Sequence, residues 1–201
     1  MIEVTTPKQF KTIPWKNGLG ETTELAINEQ GSLDDFTWRL SIASVVNDGA
    51  FSGFSGYHRN LVLISGNGLS LQYDGKRTDV LENILDIASF DGGCKTLGKL
   101  TDGAIKDFNI ITNKDKISAQ IHCYIEPQQA VVKLSKNHLC FAYSLSDEML
   151  LETCQTENSL VPVGCLAKFS ATVDELKEQK MSVTITGKNM IIVQLALKKA
   201  M

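Results

Sequence analysis

The stretch F-T-W-R-L-S-I-A-S-V, Phe36 to Val45, decides the fold class. Successive side chains of a β-strand point to opposite faces, so Phe36, Trp38, Leu40 and Ile42 share one face and Thr37, Arg39, Ser41 and Ala43 the other. Arg39 therefore lies away from Trp38. The same alternation recurs outward from this point. Leu61 to Ile64 runs into S-G-N-G, where Gly66 and Gly68 can take positive φ, and L-S-L-Q-Y follows before a second turn at Asp74 and Gly75, a pattern that reads as a hairpin or meander. Residues 117–125, 130–134 and 139–145 read as further strands, separated by E-P-Q-Q and S-K-N-H. Residues 183–186 and 190–197 flank T-G-K-N, another hairpin signal. The spacing predicts a helix over 173–180, V-D-E-L-K-E-Q-K, with Glu175 and Gln179 four apart on a solvated face. Asp147 to Thr153 is a second, less regular helical candidate. The expected class is all-β.

At 201 residues the chain can bury one substantial core or two small ones packed together. Its 43% hydrophobic and 21% charged residues are those of an ordinary globular protein, and a net charge of -3 offers no attraction for polyanions, so nucleic acid is not an expected partner. The apolar run Met190 to Leu197 is broken by Gln194 and falls far short of the roughly 20 residues a membrane span requires. No membrane partner is expected. The opening M-I-E-V-T-T-P-K has neither the basic start nor the apolar run of a secretion signal, which points to the cytoplasm. The five cysteines are odd in number and irregularly spaced, as suits reduced thiols, and none forms a C-x-x-C pair. No Pro, Ser or Gly-rich linker and no internal repeat divides the chain.

Four segments belong together: W-K-N-G-L-G-E-T-T-E (Trp15 to Glu24), the strand Phe36 to Val45, G-A-F-S-G-F-S-G-Y-H-R (Gly49 to Arg59) and K-D-F-N-I (Lys106 to Ile110). As a set they resemble the HutD/Ves family of bacterial cupin-fold proteins, some of them encoded beside histidine-degradation enzymes. The resemblance implies a cupin-like, RmlC-like jelly roll, and closing many strands into a barrel would remove exposed sheet edges. The expected organisation is two barrels packed as one bicupin-like unit, residues 1–115 carrying the family motifs and residues 116–201 forming the second. The chain departs from the family pattern in two places. Asn113, followed by Lys114, stands where a basic residue is expected soon after D-F-N, and the segment around Cys94 is more glycine-rich.

Metal-binding cupins resemble one another in a His-x-His pair, a nearby carboxylate and a third His. This chain has only His58, His122 and His138, at no such spacing, so neither a metal nor another cofactor is expected. His122 and Cys123 are strand neighbours and point to opposite faces. Arg59 ends a family motif and precedes an apolar strand, a position from which a guanidinium can grip a carboxylate through two parallel hydrogen bonds. The alternative is an arginine that pins a loop by binding backbone carbonyls. Lys16, Arg39 and Lys106 lie in the same motifs, with surface charge as their alternative. Glu24, Asp107 and Asn109 supply acceptors, and with Arg59 they suit a small polar acid carrying an amide or imidazole group. Asn17, beside Gly18 and Gly20, shapes a loop in the first motif and is carried as a further binding candidate. Trp15, Trp38 and Phe108 are either pocket walls or core.

No catalytic residue is assigned. Ser41, Ser52 and Ser55 lack a G-x-S-x-G elbow, and G-L-G at Gly18 to Gly20 lacks the strand-then-helix setting of a nucleotide loop. The expected function is non-enzymatic: binding of a small anionic metabolite, or regulation by it, with urocanate or N-formylglutamate implied by the family's link to histidine utilisation. A metal-independent cupin enzyme with Glu24 or Asp107 as general base is the alternative, and a stress-related interaction protein is the third reading. A homodimer is the assembly considered.

Overall fold

The structure is a computed structural model that describes residues 2–15, 20–135, 138–153, 158–171 and 182–198. Its strands are β1 (Ile2–Thr5), β2 (Lys11–Pro14), β3 (Gly20–Ile27), β4 (Trp38–Val45), β5 (Gly49–Ala50), β6 (Tyr57–Ser65), β7 (Leu69–Tyr73), β8 (Arg77–Leu81), β9 (Ile87–Asp91), β10 (Thr96–Leu100) and β11 (Ile105–Asn113). They continue with β12 (Ile117–Tyr124), β13 (Gln128–Lys133), β14 (His138–Ser144), β15 (Met149–Thr153), β16 (Ser159–Val161), β17 (Leu166–Phe169), β18 (Ser182–Gly187) and β19 (Met190–Leu197). Apart from a single 3-10 turn at Pro7–Gln9, the described residues form no helix. The helix expected over 173–180 lies outside the described residues. The candidate over Asp147 to Thr153 is corrected: Met149–Thr153 is strand β15, paired with both β16 and β18. Met149 and Leu151 are buried two apart, and that tertiary period of two overrides local helix propensity.

The chain divides into two compact units, Phe10–Ile117 and Ser118 onward together with the residues up to Gln9. The first holds a six-stranded sheet, β2-β3-β4-β11-β6-β9, and a four-stranded sheet, β5-β10-β7-β8. Leu61 and Leu63 of β6 and Ala43 and Val45 of β4 meet Leu69 and Leu71 of β7 and Leu81 of β8 in one buried cluster. The second unit holds β1-β17-β14-β19-β12 and β13-β18-β15-β16, with Cys140, Ala142, Phe169 and Ile192 of one sheet packed against Val132, Leu151 and Ile185 of the other. The expected closed barrels are replaced by two open sheets in each unit. Their edges are blunted by a two-residue strand, β5, and by Lys11 and Pro14 on β2.

Two turn signals lead elsewhere than to hairpins. S-G-N-G joins β6 to β7, and T-G-K-N joins β18 to β19, yet in each case the two strands belong to different sheets. Gly66 has φ 97°, and a Cβ there would stand 2.7 Å from the Ala104 carbonyl oxygen, so the corner between sheets needs glycine. The apolar faces of β6 and β7 meet across the core instead of side by side. The turn at Asp74 and Gly75 does close a hairpin, with Tyr73 opposite Arg77.

Candidate functional site

Three central strands of the six-stranded sheet build the site. Ile111 of β11 lies opposite Arg39 of β4 on one side and Arg59 of β6 on the other. The next row is Ser41, Asn109 and Leu61, and the next Ala43, Asp107 and Leu63. Residues two apart share a face, so the period-two alternation read from Phe36 to Val45 turns Arg39, Ser41 and Ala43 toward the unit's interior. With Arg59, Asn109 and Ile111 they line a cavity of about 470 Å³, completed by Trp15, Thr22, the segment from Asn47 through Ser52, and Phe54.

Arg59 is only 4% exposed, and its fork is partly committed. Nη1 donates to the Ser52 carbonyl at 3.1 Å and Nη2 to Asn109 Oδ1 at 2.7 Å, while Nε is buried without a hydrogen-bond partner. Phe51, Phe54 and Phe90 surround the guanidinium with ring centroids 5.8, 5.3 and 5.2 Å away, a cation–π cage. Gly98 makes room for one wall, since a Cβ there would stand 2.3 Å from Phe51 Cε2. Among the described residues Arg59 forms no ion pair. Burial lowers its pKa from 12.5 to about 10, against the attraction of Asp107 and Tyr73, so it stays charged at neutral pH. The loop-pinning contact and the cavity-facing position thus coexist.

The second arginine is neutralised. Arg39 Nε donates to Glu24 Oε2 at 2.7 Å, with the two side chains 7% and 18% exposed. Among the described residues lining the cavity, Arg59 is therefore the cation in contact with no carboxylate, and Asp107 acts on it from beyond Asn109. Asp107 is fully buried behind Asn109 and does not line the cavity. One of its oxygens accepts from Asn109 Nδ2, and Oδ2 has no partner. Burial pushes its pKa up to about 7, against the pull of Arg59 and of the Asn109 hydrogen bond. An amide that faces a guanidinium with its oxygen and a carboxylate with its nitrogen is the one orientation that satisfies both.

Of the residues singled out in the sequence, Arg59, Arg39 and Asn109 meet at one cavity, Glu24 stands behind Arg39, and Asp107 behind Asn109. Lys16 and Asn17 lie outside the described residues, and Lys106 is exposed on the other face of β11. Trp15 lines the cavity and donates its indole N–H to Thr22 Oγ1 at 2.8 Å. Trp38 and Phe108 are buried core residues that do not line it. Sequence reasoning missed Phe51, Phe54 and the Ser52 carbonyl, although all lie in the G-A-F-S-G-F-S-G-Y-H-R motif that flagged Arg59. Among the described residues no three His, Cys, Asp or Glu side chains are grouped so that they could hold a metal ion. His58 instead shares a 2.8 Å hydrogen bond with Ser89 Oγ. No helix of the described residues is long and apolar enough to cross a membrane.

Known proteins share this architecture. HutD from Pseudomonas fluorescens SBW25, solved in a formate condition, superposes with a TM-score of 0.81 at 25% identity, covering 99% of this chain and 100% of that one. A conserved protein of unknown function from Pseudomonas aeruginosa PAO1 gives 0.81 at 26% identity over the same shares. The bacterial pirin YhhW from Escherichia coli, solved with nickel(II), gives 0.66 at 7% identity over the whole of both chains, a likeness of fold alone. In sequence, an uncharacterised 21.2 kDa protein in the hutC 3' region of Pseudomonas putida is 35% identical over 61% of this chain and 64% of its own length. Protein Ves of Citrobacter koseri is 33% identical over 53% and 56%. The match thus spans less than two thirds of each of these curated relatives. The HutD family model covers residues 7–191. With a cupin-like all-β fold and a match along nearly its full length, the chain belongs to the HutD family.

Proposed function

We propose that the chain is a non-enzymatic, cytoplasmic binding or regulatory protein whose first unit takes a small carboxylate at Arg59. The observation that carries this reading is a charged, buried guanidinium facing a cavity of about 470 Å³ and, among the described residues, in ion-pair contact with no carboxylate. That volume is in the range of small-molecule sites, and a desolvated arginine rewards an incoming anion more than a solvated one does. Asn109, Ser41 and Thr22 add polar groups for an amide or imidazole, and Trp15, Phe51 and Phe54 add apolar wall. The names of the Pseudomonas relatives, HutD and a hutC-region protein, support histidine utilisation as the setting, with urocanate and N-formylglutamate as candidate ligands. An enzyme using Asp107 as general base has its pKa near neutrality in its favour, but the carboxyl is fully buried and does not line the cavity.

The test is calorimetric titration of N-formylglutamate, urocanate and simple dicarboxylates into the wild type, Arg59→Ala and Arg59→Lys, with a melting curve for each. Alanine removes a charge-assisted contact, about 1.5–3 kcal/mol or roughly 10 to 150-fold in affinity, and lysine restores part of it. Failure of every carboxylate to bind the wild type below millimolar ends the metabolite reading and leaves the interaction protein. Binding that survives in a folded Arg59→Ala places the ligand elsewhere.

A further inference from the structure

Asp107 is a buried acid that carboxylate binding itself does not touch. Ala43 of β4 and Leu63 of β6 flank it in the sheet, and its Oδ2 has no hydrogen-bond partner. Its link to the cavity runs through a single amide: Asn109 donates to its other oxygen and accepts from Arg59 Nη2 at 2.7 Å. The charges around it are few. β6 contributes Arg59, and β4 contributes Ser41 and Ala43, neither of them charged. On β7, Tyr73 acts on Arg59 and donates a hydrogen bond from its hydroxyl to Asp79 Oδ2, and Arg39 is neutralised by Glu24. Among the described residues Arg59 is therefore the cation on which a charged Asp107 depends.

In the empty site Arg59 and an ionised Asp107 sum to zero. An anion seated on Arg59 would bring that buried trio to a net charge of -1, in a setting where an uncompensated charge is costly. Placing a proton on Asp107 restores zero. We propose that Asp107 is a positioning residue whose protonation is coupled to the Arg59 subsite: a carboxylate binding there draws one proton from solvent onto the Asp107 carboxyl, so the bound form holds Asp107 neutral. This rests on the carboxylate-binding reading above. The unpartnered Oδ2 is the oxygen that receives the proton, and Oδ1 keeps its bond from Asn109, so the amide still presents its oxygen to Arg59. Because burial already brings Asp107 to about 7, the exchange falls near neutral pH.

The sign follows from linkage. The anion raises the proton affinity of Asp107, so protons raise the affinity for the anion by the same factor. Below about pH 7 Asp107 is already neutral and affinity is flat with respect to this group. Above that, affinity falls by up to about tenfold per pH unit until the pH passes the pKa of the bound state.

The experiment titrates N-formylglutamate, which has no group titrating near neutrality, into the full chain at about pH 8 in two buffers of different ionisation enthalpy, and repeats the affinity from about pH 7 to about pH 9. The expected result is uptake of the order of one proton per ligand and an affinity that falls across that range. Asp107→Asn imitates the neutral carboxyl and is expected to bind at the alkaline end at least as tightly as the wild type does near pH 7, with the slope gone. A merely structural role for Asp107 would change affinity without removing the slope. Binding with no proton uptake and a flat profile overturns the proposal and leaves the carboxylate reading standing, whereas no carboxylate binding at any pH overturns both. Should Asp107→Asn fail to fold, the two-buffer comparison on the wild type still decides.

Discussion

Replacing Asp107 by Asn is expected to stabilise the unliganded protein at alkaline pH and to destabilise it in acid. The carboxyl is fully buried, and burial raises its pKa from the ordinary 3.8 to about 7, a factor of about a thousand in proton affinity, or about 4 kcal/mol. A carboxyl whose folded-state pKa is raised contributes stability that is complete below the unfolded pKa and is lost as pH rises toward the folded one. Above about pH 7 the wild type therefore carries the whole penalty of a buried charge, and below about pH 4 it carries none. Asparagine carries no charge at either pH, and its side-chain oxygen can still accept from Asn109 Nδ2. Its amide hydrogens then occupy the place of the unpartnered Oδ2, and an unsatisfied buried donor costs about 1–3 kcal/mol. The net gain expected at pH 8 is about 1–3 kcal/mol, and at pH 4.5, where only about 1 kcal/mol of the charge penalty remains, the same donor leaves the variant destabilised by up to about 2 kcal/mol. Urea unfolding at the two pH values, read as a difference between variant and wild type, measures this directly. A difference that does not change with pH refutes the reasoning, whatever its size.

Two further outcomes follow from geometry and burial. Gly98→Val puts branched carbons where the Phe51 ring lies, with Cε2 only 2.3 Å from the new Cβ, so the ring swings into the cavity. Carboxylate affinity should fall at least about tenfold, with a loss of fold stability of about 1–3 kcal/mol, and unchanged affinity by calorimetry would show that this wall is not part of the site. Burial pushes the Cys123 and Cys140 thiols up to about 12, so both should resist alkylation in the native protein, and all five thiols should titrate in denaturant without reductant. Fewer than five would reveal a disulfide.

The division of β4 into an apolar face and a face carrying Arg39, Ser41 and Ala43 was legible in the sequence because a strand's period of two leaves one answer once any residue is placed. Arg59 was legible as a candidate because it closes a motif, whereas Trp15, Trp38 and Phe108 could not be told apart as wall or core, and only Trp15 lines the cavity. Partnership was not legible. The contact between Arg59 and Asn109 joins residues fifty apart and exists only because β6 and β11 pair in the register that sets Arg59 against Ile111. S-G-N-G and T-G-K-N carry the chemistry of a tight turn, which bends the chain equally well within a sheet or from one sheet to the other. What distinguishes the cases is the burial of the next strand's face, a long-range property. Asp107 was named as an acceptor, but its place behind Asn109 depends on the row it shares with Ala43 and Leu63. Motif and period thus identify the groups, and register alone decides which of them face the cavity.

Strand β1 gives the chain an order in time. Ile2–Thr5 is an edge strand whose partner is Leu166–Phe169, about 160 residues later. Every strand of the two sheets around the Arg59 cavity lies between Lys11 and Asn113, so all of them leave the ribosome before that partner is made. At roughly 5–20 residues per second the first strand waits about 8–30 s with its backbone unpaired while the unit that begins after it can complete its own ladders. A sequence fused ahead of Ile2 therefore loads the edge of the last-finished sheet, a strand that pairs with none of those carrying Arg59, Asn109 and Asp107.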